Sequence, residues 1–293
     1  MTQLPTVAVL LAAYNGREFI AEQVDSIFNQ TGIDIQLFIS VDLSTDSTFE
    51  WCKKLENKND NVTILEYGER FGGAAKNFFR LICDVNFSAF DYVAFSDQDD
   101  IWLHNKLSHA IEVIQVKKLD VFSSDVLAFW EDGRKKLVKK SYPQKPFDYY
   151  FEAAGPGCTY VFKRDAIQSF KGFLGSNFTA INQVALHDWM IYAFCRFQGM
   201  RWYIDDIPLM YYRQHEFNQV GSNSGLRAYL KRISMVKEKW YRSEVEKVMV
   251  LVAPDGYSER FLNRVFLIKH FWLLRRRPRD CWALLLMLIV GVF

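Results

Sequence analysis

The chain has 293 residues, of which 50% are hydrophobic and 24% are charged, with a net charge of +2. High apolar content and low net charge exclude a disordered protein, and the length is sufficient for one large core or two adjoining cores. Residues 226–293 carry 14 Lys and Arg against 6 acidic residues, whereas residues 1–225 carry 22 against 28. A basic tail behind an acidic body favours contact between that tail and an anionic surface.

The cysteine pattern and the N-terminus indicate a protein of the reducing cytosol. The five cysteines contain no CxxC pair and are irregularly spaced, which argues against a disulfide framework or a zinc site. The N-terminal apolar run has no basic residue before it and ends in Asn15-Gly16. We therefore interpret it as a buried strand and not as a signal peptide.

The first hundred residues alternate the patterns of strands and helices. Residues 7–13 form a continuous apolar run, which is typical of a strand that is covered on both faces. Further strands are predicted at 35–41, 62–65 and 92–95, and helices at 17–30, at 44–56 with Ser44 as the N-cap, and from Gly72-Gly73 onward. This alternation predicts a mainly parallel sheet with helices on both sides.

Beyond residue 100 the pattern is mixed. Helices are predicted at 104–116 and 187–198, strands at 121–124, 159–162 and 201–204, and a hairpin turn at Glu131-Asp132-Gly133. The sequence contains no internal repeat and no low-complexity linker. Near residue 225 the composition becomes basic and helical, which predicts a first domain at 1–225 and a helical segment at 226–293.

Polar residues follow the predicted strands, where ligands lie in open parallel sheets. They are Tyr14-Asn15-Gly16, Asp42 and Ser96-Asp97-Gln98-Asp99-Asp100. The three carboxylates within four residues of the last group repel one another unless a cation lies among them, and Mg²⁺ or Mn²⁺ prefers such oxygen ligands. The alternative is a solvated acidic turn or a helix N-cap at Asp100.

Six motifs in order resemble those of the family 2 glycosyltransferases with the A-type fold. They are VLLAAYNG at 9–16, VDLSTDST at 41–48, GGAAKN at 72–77, FSDQDDIW at 95–102, HDWM at 187–190 and YRQHEFNQVG at 212–221. The last two resemble the bacterial polysaccharide branch of rhamnosyltransferases. The resemblance implies an α/β A-type fold, a mainly parallel central sheet flanked by helices, and a C-terminal helical tail that is basic and apolar.

The same resemblance assigns one set of residues to the donor and one to the metal. Donor-binding residues would be Ala13, Tyr14, Asn15, Asp42, Lys76, Asp97 and Gln98. Asp42 would accept a hydrogen bond from a pyrimidine imide, and Lys76 would contact the phosphates; a helix-entry turn and a solvated helix lysine are their alternatives. Asp97 and Asp99 correspond to the Asp-x-Asp pair that holds Mg²⁺ or Mn²⁺, and His215 to a distal metal ligand, with an ordinary surface or core histidine as the alternative.

On the acceptor side, the resemblance makes Asp188 the catalytic base. An inverting transfer needs a base because the acceptor hydroxyl loses its proton as it attacks; a helix N-cap is the alternative for Asp188. Gly157, His187 and Trp189 are assigned to acceptor binding. The alternatives are an ordinary turn for Gly157 and a structural role for His187.

The sequence departs from the family pattern after the second strand. An acidic-acidic-glycine sequence is usual there, but this chain has Val41-Asp42-Leu43. The loss of the first acid and of the glycine leaves the identity of the nucleotide base open.

The C-terminal segment interleaves aromatic and basic residues and ends in an apolar run at residues 282–293. The basic residues include Lys231-Arg232, Lys237, Lys239 and residues 275–277. The final run is too short for an ordinary membrane span, which needs roughly 20 residues. We expect an interfacial helix behind a polybasic anchor, with a core helix that packs on the catalytic domain as the alternative; no nucleic-acid partner is expected.

Together these expectations describe an inverting, metal-dependent sugar transferase at the cytoplasmic face of the bacterial inner membrane, either peripheral or monotopic. The donor would be dTDP-rhamnose, or alternatively a UDP-hexose carrying galactose or glucose, and the acceptor a lipid-linked saccharide of a surface polysaccharide such as O-antigen. An inactive sugar-nucleotide-binding scaffold is a second possibility. A phosphotransferase with Asp97 as nucleophile is disfavoured, because such enzymes place Asp-x-Asp after the first strand and not the fourth.

Overall fold

A computed structural model describes residues 3–215, 239–253 and 256–293. The strands of this part are β1 (Thr6–Ala13), β2 (Asp34–Val41), β3 (Val62–Ile64), β4 (Tyr92–Asp97), β5 (Ile101–Trp102), β6 (Val121–Ser124), β7 (Val126–Phe129), β8 (Lys135–Val138), β9 (Val161–Lys163), β10 (Trp202–Asp205) and β11 (Met210–Arg213). The helices are α1 (Ile20–Phe28), α2 (Thr48–Glu56), α3 (Ala74–Asp84), α4 (Lys106–Lys117), α5 (Arg164–Ser176), α6 (Phe178–Ile181), α7 (His187–Phe197), α8 (Trp240–Val252), α9 (Tyr257–Phe261), α10 (Arg264–His270) and α11 (Pro278–Val290).

The central sheet has seven strands in the order β10-β6-β9-β4-β1-β2-β3. β1 pairs in parallel with both β2 and β4, and β2 pairs in parallel with β3. β9 lies antiparallel between β4 and β6. The predicted α/β fold with a mainly parallel sheet is confirmed, with one antiparallel strand that the sequence pattern did not indicate.

The continuous apolar run of β1 is explained by burial on both faces of the sheet. Ala8 and Leu10 belong to one hydrophobic cluster with the side chains of α3. Val9 and Leu11 belong to the opposite cluster with the side chains of α1. Because successive residues of a strand point to opposite faces, both sets must be apolar.

A second sheet of four strands, in the order β5-β11-β7-β8, adjoins the acidic segment after β4. Its β7–β8 hairpin turns at the predicted position: Gly133 has a φ of +81° and donates its amide to Trp130 O at 3.0 Å. Strands β7 and β8 themselves were not predicted. This sheet matters for the site because β11 ends beside the acidic segment.

Two local predictions are wrong. Ser44 is not a helix cap, since α2 begins at Thr48 and the Ser44 hydroxyl donates to Asp42 O at 2.8 Å. The strand predicted at 159–162 begins only at Val161, because residues 157–159 form a 3₁₀ turn in which Tyr160 N donates to Gly157 O.

The C-terminal helices pack onto the rest of the protein. Val245, Val248 and Met249 of α8 are fully buried in the same hydrophobic cluster as the inner face of α7. Within the described residues, no helix is long and apolar enough to cross a membrane. The predicted boundary near residue 225 and the basic residues at 231, 232 and 237 lie outside the described part of the chain.

Two arginines of the predicted polybasic anchor have a structural role instead. Arg276 is 3% exposed; its Nη1 lies 3.0 Å from Asp148 Oδ2, and its Nη2 donates to Ala153 O. Arg275 donates to Tyr241 OH at 2.7 Å and lies near Glu152. The Arg276 guanidinium is not available to a lipid surface, since a buried charge requires the partners that it has here. The Arg275 side chain is 22% exposed and is engaged by Tyr241 and Glu152.

Candidate active site

The strand register brings three of the predicted segments together at one edge of the sheet. Ala12 of β1 lies opposite Asp97 of β4, and Ala13 lies opposite Val41 of β2. The segments that follow these strands therefore meet, as expected at the carboxyl ends of parallel strands. The candidate site is built on this edge.

The loop after β1 is held by hydrogen bonds from the segments that follow β4 and β2. Gln98 accepts a hydrogen bond from Tyr14 N and donates one to Tyr14 O, both at 2.8 Å. A Cβ on Gly16 would lie 2.0 Å from Gln98 Oε1, so this approach requires glycine. Asn15, at a φ of 44°, accepts from Thr45 N at 2.8 Å. The Tyr14 side chain is 46% exposed and is available to a ligand.

Asp42 is 4% exposed, and its carboxylate is engaged by the main chain. Oδ1 accepts from Leu43 N at 2.7 Å and Phe71 N at 2.8 Å, and Oδ2 accepts from Gly72 N at 2.9 Å. These bonds fix the loop that leads into α3. Recognition of a nucleotide base by Asp42 stays a prediction.

The first turn of α3 contributes one residue that the sequence did not single out. Lys76 is exposed there, consistent with either of its two interpretations. Its neighbour Asn77 is buried and donates from Nδ2 to Ser40 O at 3.0 Å and to Ala13 O at 3.3 Å. Asn77 thus ties the ends of β1 and β2 together beneath the loops.

Asp99 and His215 meet although they are 116 positions apart in the chain. His215 Nε2 lies 2.7 Å from Asp99 Oδ2. Arg213 of β11 fixes the acidic segment beside them, because its amide donates to Asp100 Oδ1 at 3.1 Å and its Nε donates to Asp99 O at 2.8 Å. Two of the predicted metal ligands, Asp99 and His215, are therefore adjacent, and hydrogen bonds from Arg213 hold the acidic segment in place.

The carboxylates of this segment are electrostatically strained in the absence of a cation. Burial and the charge of Asp99 raise the pKa of Asp97 to about 7. Burial, together with Asp99 and Asp97, raises the pKa of Asp100 well above its ordinary value. A divalent cation bound among these groups would remove both the repulsion and part of the desolvation cost.

Two different ligand sets can be drawn from these residues. Oxygens of Asp97 and Asp100 and the Cys158 sulfur lie within 4.8 Å of one another, but Asp100 and Cys158 are 1% and 0% exposed. A buried thiol is a poor ligand for Mg²⁺ or Mn²⁺, which prefer oxygen ligands. Asp97, Asp99 and His215 are partly exposed, so a cation that they held would be accessible to substrate phosphates; of the three, Asp99 and His215 are in direct contact.

Asp188 is the second residue of α7, whose N-cap position is Leu186, so the N-cap alternative is wrong. One carboxylate oxygen accepts from Trp189 N at 2.8 Å. Burial raises the pKa of Asp188 to about 6, and the nearby charge of Lys140 opposes this increase. The Asp188 charge also contributes to the raised pKa of Asp97, which places the two carboxylates within electrostatic reach.

Gly157 touches the start of α7 directly. A Cβ on Gly157 would lie 2.5 Å from His187 Nε2 and 3.4 Å from Asp188 Cβ, so only glycine permits this contact. The turn that was expected beside the acceptor therefore packs against the predicted base.

His187 and Trp189 are enclosed by other parts of the protein. The His187 ring stacks on Phe78 at a centroid distance of 4.2 Å, and burial lowers its pKa to about 3. Trp189 is 3% exposed, and its Nε1 donates to Tyr149 O at 3.0 Å. The ring stack favours the structural alternative for His187, and the burial of Trp189 in the hydrophobic core argues against its assignment to the acceptor.

Phe19 was missed by the sequence analysis. Its ring stacks on His215 with centroids 4.9 Å apart and planes 20° apart, and the Arg213 guanidinium carbon lies 4.9 Å from the same Phe19 ring. Arg213 also pairs with Glu22 of α1. The only sequence signal was the YRQH motif, which gives no indication of a partner in α1.

An open sheet with two carboxylates and a histidine at its carboxyl edge, and a desolvated carboxylate in the first turn of α7, agrees with what the resemblance to glycosyltransferases predicts. Residues 8–174 match the family model described as Glycosyl transferase family 2. The chain belongs to this family, as its motifs predicted.

Relatives by sequence match nearly the whole chain or a part of it. The chain is 45% identical over 289 residues to dTDP-rhamnosyl transferase RfbG of Shigella flexneri, a match that covers 97% of this chain and 100% of that protein. It is 31% identical over 114 residues to UDP-Glc:alpha-D-GlcNAc-diphosphoundecaprenol beta-1,3-glucosyltransferase WfaP of Escherichia coli, covering 39% of this chain and 43% of that protein.

Two solved structures share the fold at low sequence identity. TarS of S. aureus in complex with UDP-GlcNAc superposes with a TM-score of 0.60 at 16% identity, covering 92% of this chain and 73% of that one. The mannosyltransferase PcManGT of Pyrobaculum calidifontis, in complex with GDP-Man and Mn²⁺, superposes with a TM-score of 0.55 at 15% identity, covering 99% and 86%. The A-type glycosyltransferase fold predicted from the sequence is confirmed.

Proposed function

We propose that this protein transfers rhamnose with inversion from dTDP-rhamnose to a saccharide acceptor in the synthesis of a bacterial surface polysaccharide. The observation that carries this proposal is the contact between Asp99 and His215 at 2.7 Å, at the sheet edge where Asp188 lies within electrostatic reach of Asp97. The identity of 45% to a dTDP-rhamnosyl transferase along the whole chain supports the choice of donor.

Asp97, Asp99 and His215 would hold Mg²⁺ or Mn²⁺ together with the donor diphosphate. The fit rests on the two carboxylates, because these ions prefer their oxygens; the His215 imidazole would complete the set. The raised pKa of Asp97 supports it, because this environment is unfavourable for unneutralised carboxylates. When bound, the cation would neutralise charge that develops on the departing diphosphate.

Asp188 would take the proton of the attacking acceptor hydroxyl. Its pKa of about 6 leaves it ionised at neutral pH, and it is a stronger base than an ordinary aspartate. The buried turn at Gly157 packs against it and would border the acceptor. This assignment gives the acceptor one side of the site and leaves the segments after β1, β2 and β4 to the donor.

Donor recognition would fall to the loop after β1 and to Asp42. Tyr14 is exposed enough to stack on a nucleotide base, and Asn15 and Gln98 hold its loop in place. A UDP-hexose is the alternative donor, supported by the shorter match to a UDP-glucose-dependent relative. The departure at Val41-Asp42-Leu43 is the feature that would distinguish the bases.

The acceptor would be a saccharide on a lipid carrier, and the protein would work at the cytoplasmic surface of the inner membrane. This part of the proposal is supported by the name of the relative WfaP, which acts on a diphosphoundecaprenol-linked sugar. The basic C-terminal segment also favours an anionic surface.

The proposal is tested by calorimetric titration of the purified protein with dTDP-rhamnose, UDP-glucose, UDP-galactose and GDP-mannose, each with Mn²⁺ or with EDTA. We expect dTDP-rhamnose to bind at least about tenfold more tightly than the other donors, and to lose affinity in EDTA. Preference for a UDP-hexose would overturn the choice of donor. Metal-independent binding of every donor would overturn the assignment of the cation site.

A further inference from the structure

The last helix of the chain presents large apolar side chains to solvent. Trp282, Leu286, Ile289 and Val290 of α11 are 58%, 62%, 57% and 65% exposed, and Trp272 just before the helix is 43% exposed. The Trp272 and Trp282 rings lie 6.4 Å apart. We refer to these five side chains as the apolar ridge.

The ridge is one continuous face, and the core does not account for it. Residues 282, 286, 289 and 290 follow the i, i+4, i+7, i+8 spacing of a single helix face. The core contact is made by the other face, where Cys281, Leu284 and Leu288 are buried. The core alternative considered from the sequence therefore explains only half of this helix, and a contiguous exposed apolar surface of this kind marks an interaction site.

We propose that the apolar ridge is the membrane-docking surface of the protein, and that its partner is the surface of an anionic phospholipid bilayer. The inference deepens the proposed function and rests on it, because a lipid-linked acceptor requires the enzyme to work at a membrane. The α11 helix spans about 20 Å at 1.5 Å per residue, shorter than the roughly 30 Å of a hydrocarbon core. It lies along the interface and does not cross it.

The charges around the ridge fit such a surface. Arg279 is exposed three residues before Trp282 and so lies on the same side of α11. Arg264 of α10 donates to Ile289 O, and Lys145 lies 4.4 Å from the Trp272 ring. Residues 256–293 contain seven basic and two acidic side chains. Arg276 is excluded from this role by its buried ion pair, and Arg275 by its contacts with Tyr241 and Glu152. Arg279, Arg264 and Lys145 form the basic rim of the ridge and replace the anchor expected from the sequence.

The tryptophans support a lipid partner over a second copy of the chain. Their large apolar rings with one polar N–H suit the boundary between headgroups and acyl chains. In a symmetric dimer through the same face, each basic rim would oppose an identical basic rim. An anionic bilayer complements the rim, because basic side chains near its surface are attracted to its negative potential.

The test is co-sedimentation of the full-length protein with vesicles of phosphatidylglycerol and phosphatidylethanolamine, compared with vesicles of phosphatidylcholine. Leu286→Glu places a charge in the ridge, and Val116→Glu is the matched control because Val116 is 75% exposed on α4, away from this surface. We expect Leu286→Glu to weaken partitioning about 10- to 100-fold, as the loss of one buried leucine would. The control should partition like the wild type, and both should prefer the anionic vesicles.

Equal partitioning of wild type and Leu286→Glu would overturn the proposal. The proposal would also be overturned if the wild type dimerised in sedimentation velocity, Leu286→Glu abolished the dimer, and neither protein bound vesicles. If Leu286→Glu is poorly folded by its thermal transition, Trp282→Ser tests the same face without a charge. Donor titration of the same samples separates this inference from the proposed function. A wild-type protein that binds the donor but not the vesicles would overturn the role of the ridge alone. A protein that does not bind the donor but partitions through the ridge would overturn the proposed function alone.

Discussion

Asp188→Asn should abolish most of the transfer activity and at the same time stabilise the protein at alkaline pH. The loss of a general base typically reduces the rate about 100- to 10,000-fold. The side chain keeps its size, and donor binding should be unchanged because the donor segments follow β1, β2 and β4. The unusual part of the prediction is the gain in stability.

The magnitude of that gain follows from the environment of Asp188. Its pKa is raised from 3.8 to about 6, chiefly by burial, which corresponds to about 3 kcal/mol at 1.36 kcal/mol per pH unit. Because the pKa in the folded state is higher than in the unfolded state, ionisation of Asp188 opposes folding. The cost is complete above a pH of about 6 and absent below a pH of about 4, so the variant should gain stability only on the alkaline side.

Two measurements, one on ligand-free protein and one on the reaction, check this reasoning. Urea unfolding at pH 8 and at pH 4 should show Asp188→Asn more stable than the wild type by up to about 3 kcal/mol at pH 8 and equal to it at pH 4. The wild-type kcat/KM should fall about tenfold per pH unit below a pH of about 6. Asp165→Asn, at a carboxylate that is 93% exposed on α5, serves as the control and should change neither quantity.

The reasoning is refuted if Asp188→Asn transfers sugar at the wild-type rate. Weakened binding of the donor diphosphate would instead make Asp188 a donor or structural residue. A variant that loses stability at pH 8 would show that the carboxylate is held by favourable contacts and not strained by burial.

Further predictions concern the metal ligands and the C-terminal helices. Asp99→Asn should weaken Mn²⁺ binding measured by calorimetry by at least about tenfold without changing the thermal transition; unchanged Mn²⁺ affinity would refute the assignment. Phe19→Leu should weaken Mn²⁺ binding about 3- to 10-fold, because the His215 ring loses the aromatic ring on which it stacks. Phe19→Tyr keeps an aromatic ring and should bind Mn²⁺ like the wild type. Equal Mn²⁺ affinities of the two variants would contradict the role of the stack. Arg276→Leu should lower the free energy of unfolding by about 3–5 kcal/mol because Asp148 stays buried, and a loss under about 1 kcal/mol would contradict this reading.

Much of the donor half was predictable because its residues follow strands with strong patterns. The apolar run at 7–13 fixed β1, and the segment Asp97 to Asp100 followed β4, so parallel pairing necessarily brought their ends together. The same logic places Asp42 beside them. Local sequence and the geometry of parallel sheets were sufficient for these positions.

The remaining contacts join residues that are distant in the chain and have no pattern in common. The stack of Phe19 on His215 depends on β11 ending beside α1. The pair of Arg276 and Asp148, 128 positions apart, turned an expected membrane anchor into an internal ion pair. Charge counting treats every arginine alike, and only tertiary packing decides which of them is buried.

The apolar C-terminal run is another feature whose packing could not be predicted from the sequence. Its composition offered an interfacial helix or a core helix, and hydrophobicity alone does not separate them. In the structure α11 buries Leu284 and Leu288 and exposes Leu286 and Ile289. Each alternative therefore describes one face of the same helix.

The central claim is tested most directly by the mass of the product formed from a lipid-linked saccharide acceptor, dTDP-rhamnose and Mn²⁺. We predict that the wild type adds one deoxyhexose to the acceptor and releases dTDP, and that Asp188→Asn leaves the acceptor unchanged over the same period. An acceptor that stays unmodified with dTDP-rhamnose but gains a hexose from UDP-glucose or UDP-galactose would contradict the claim.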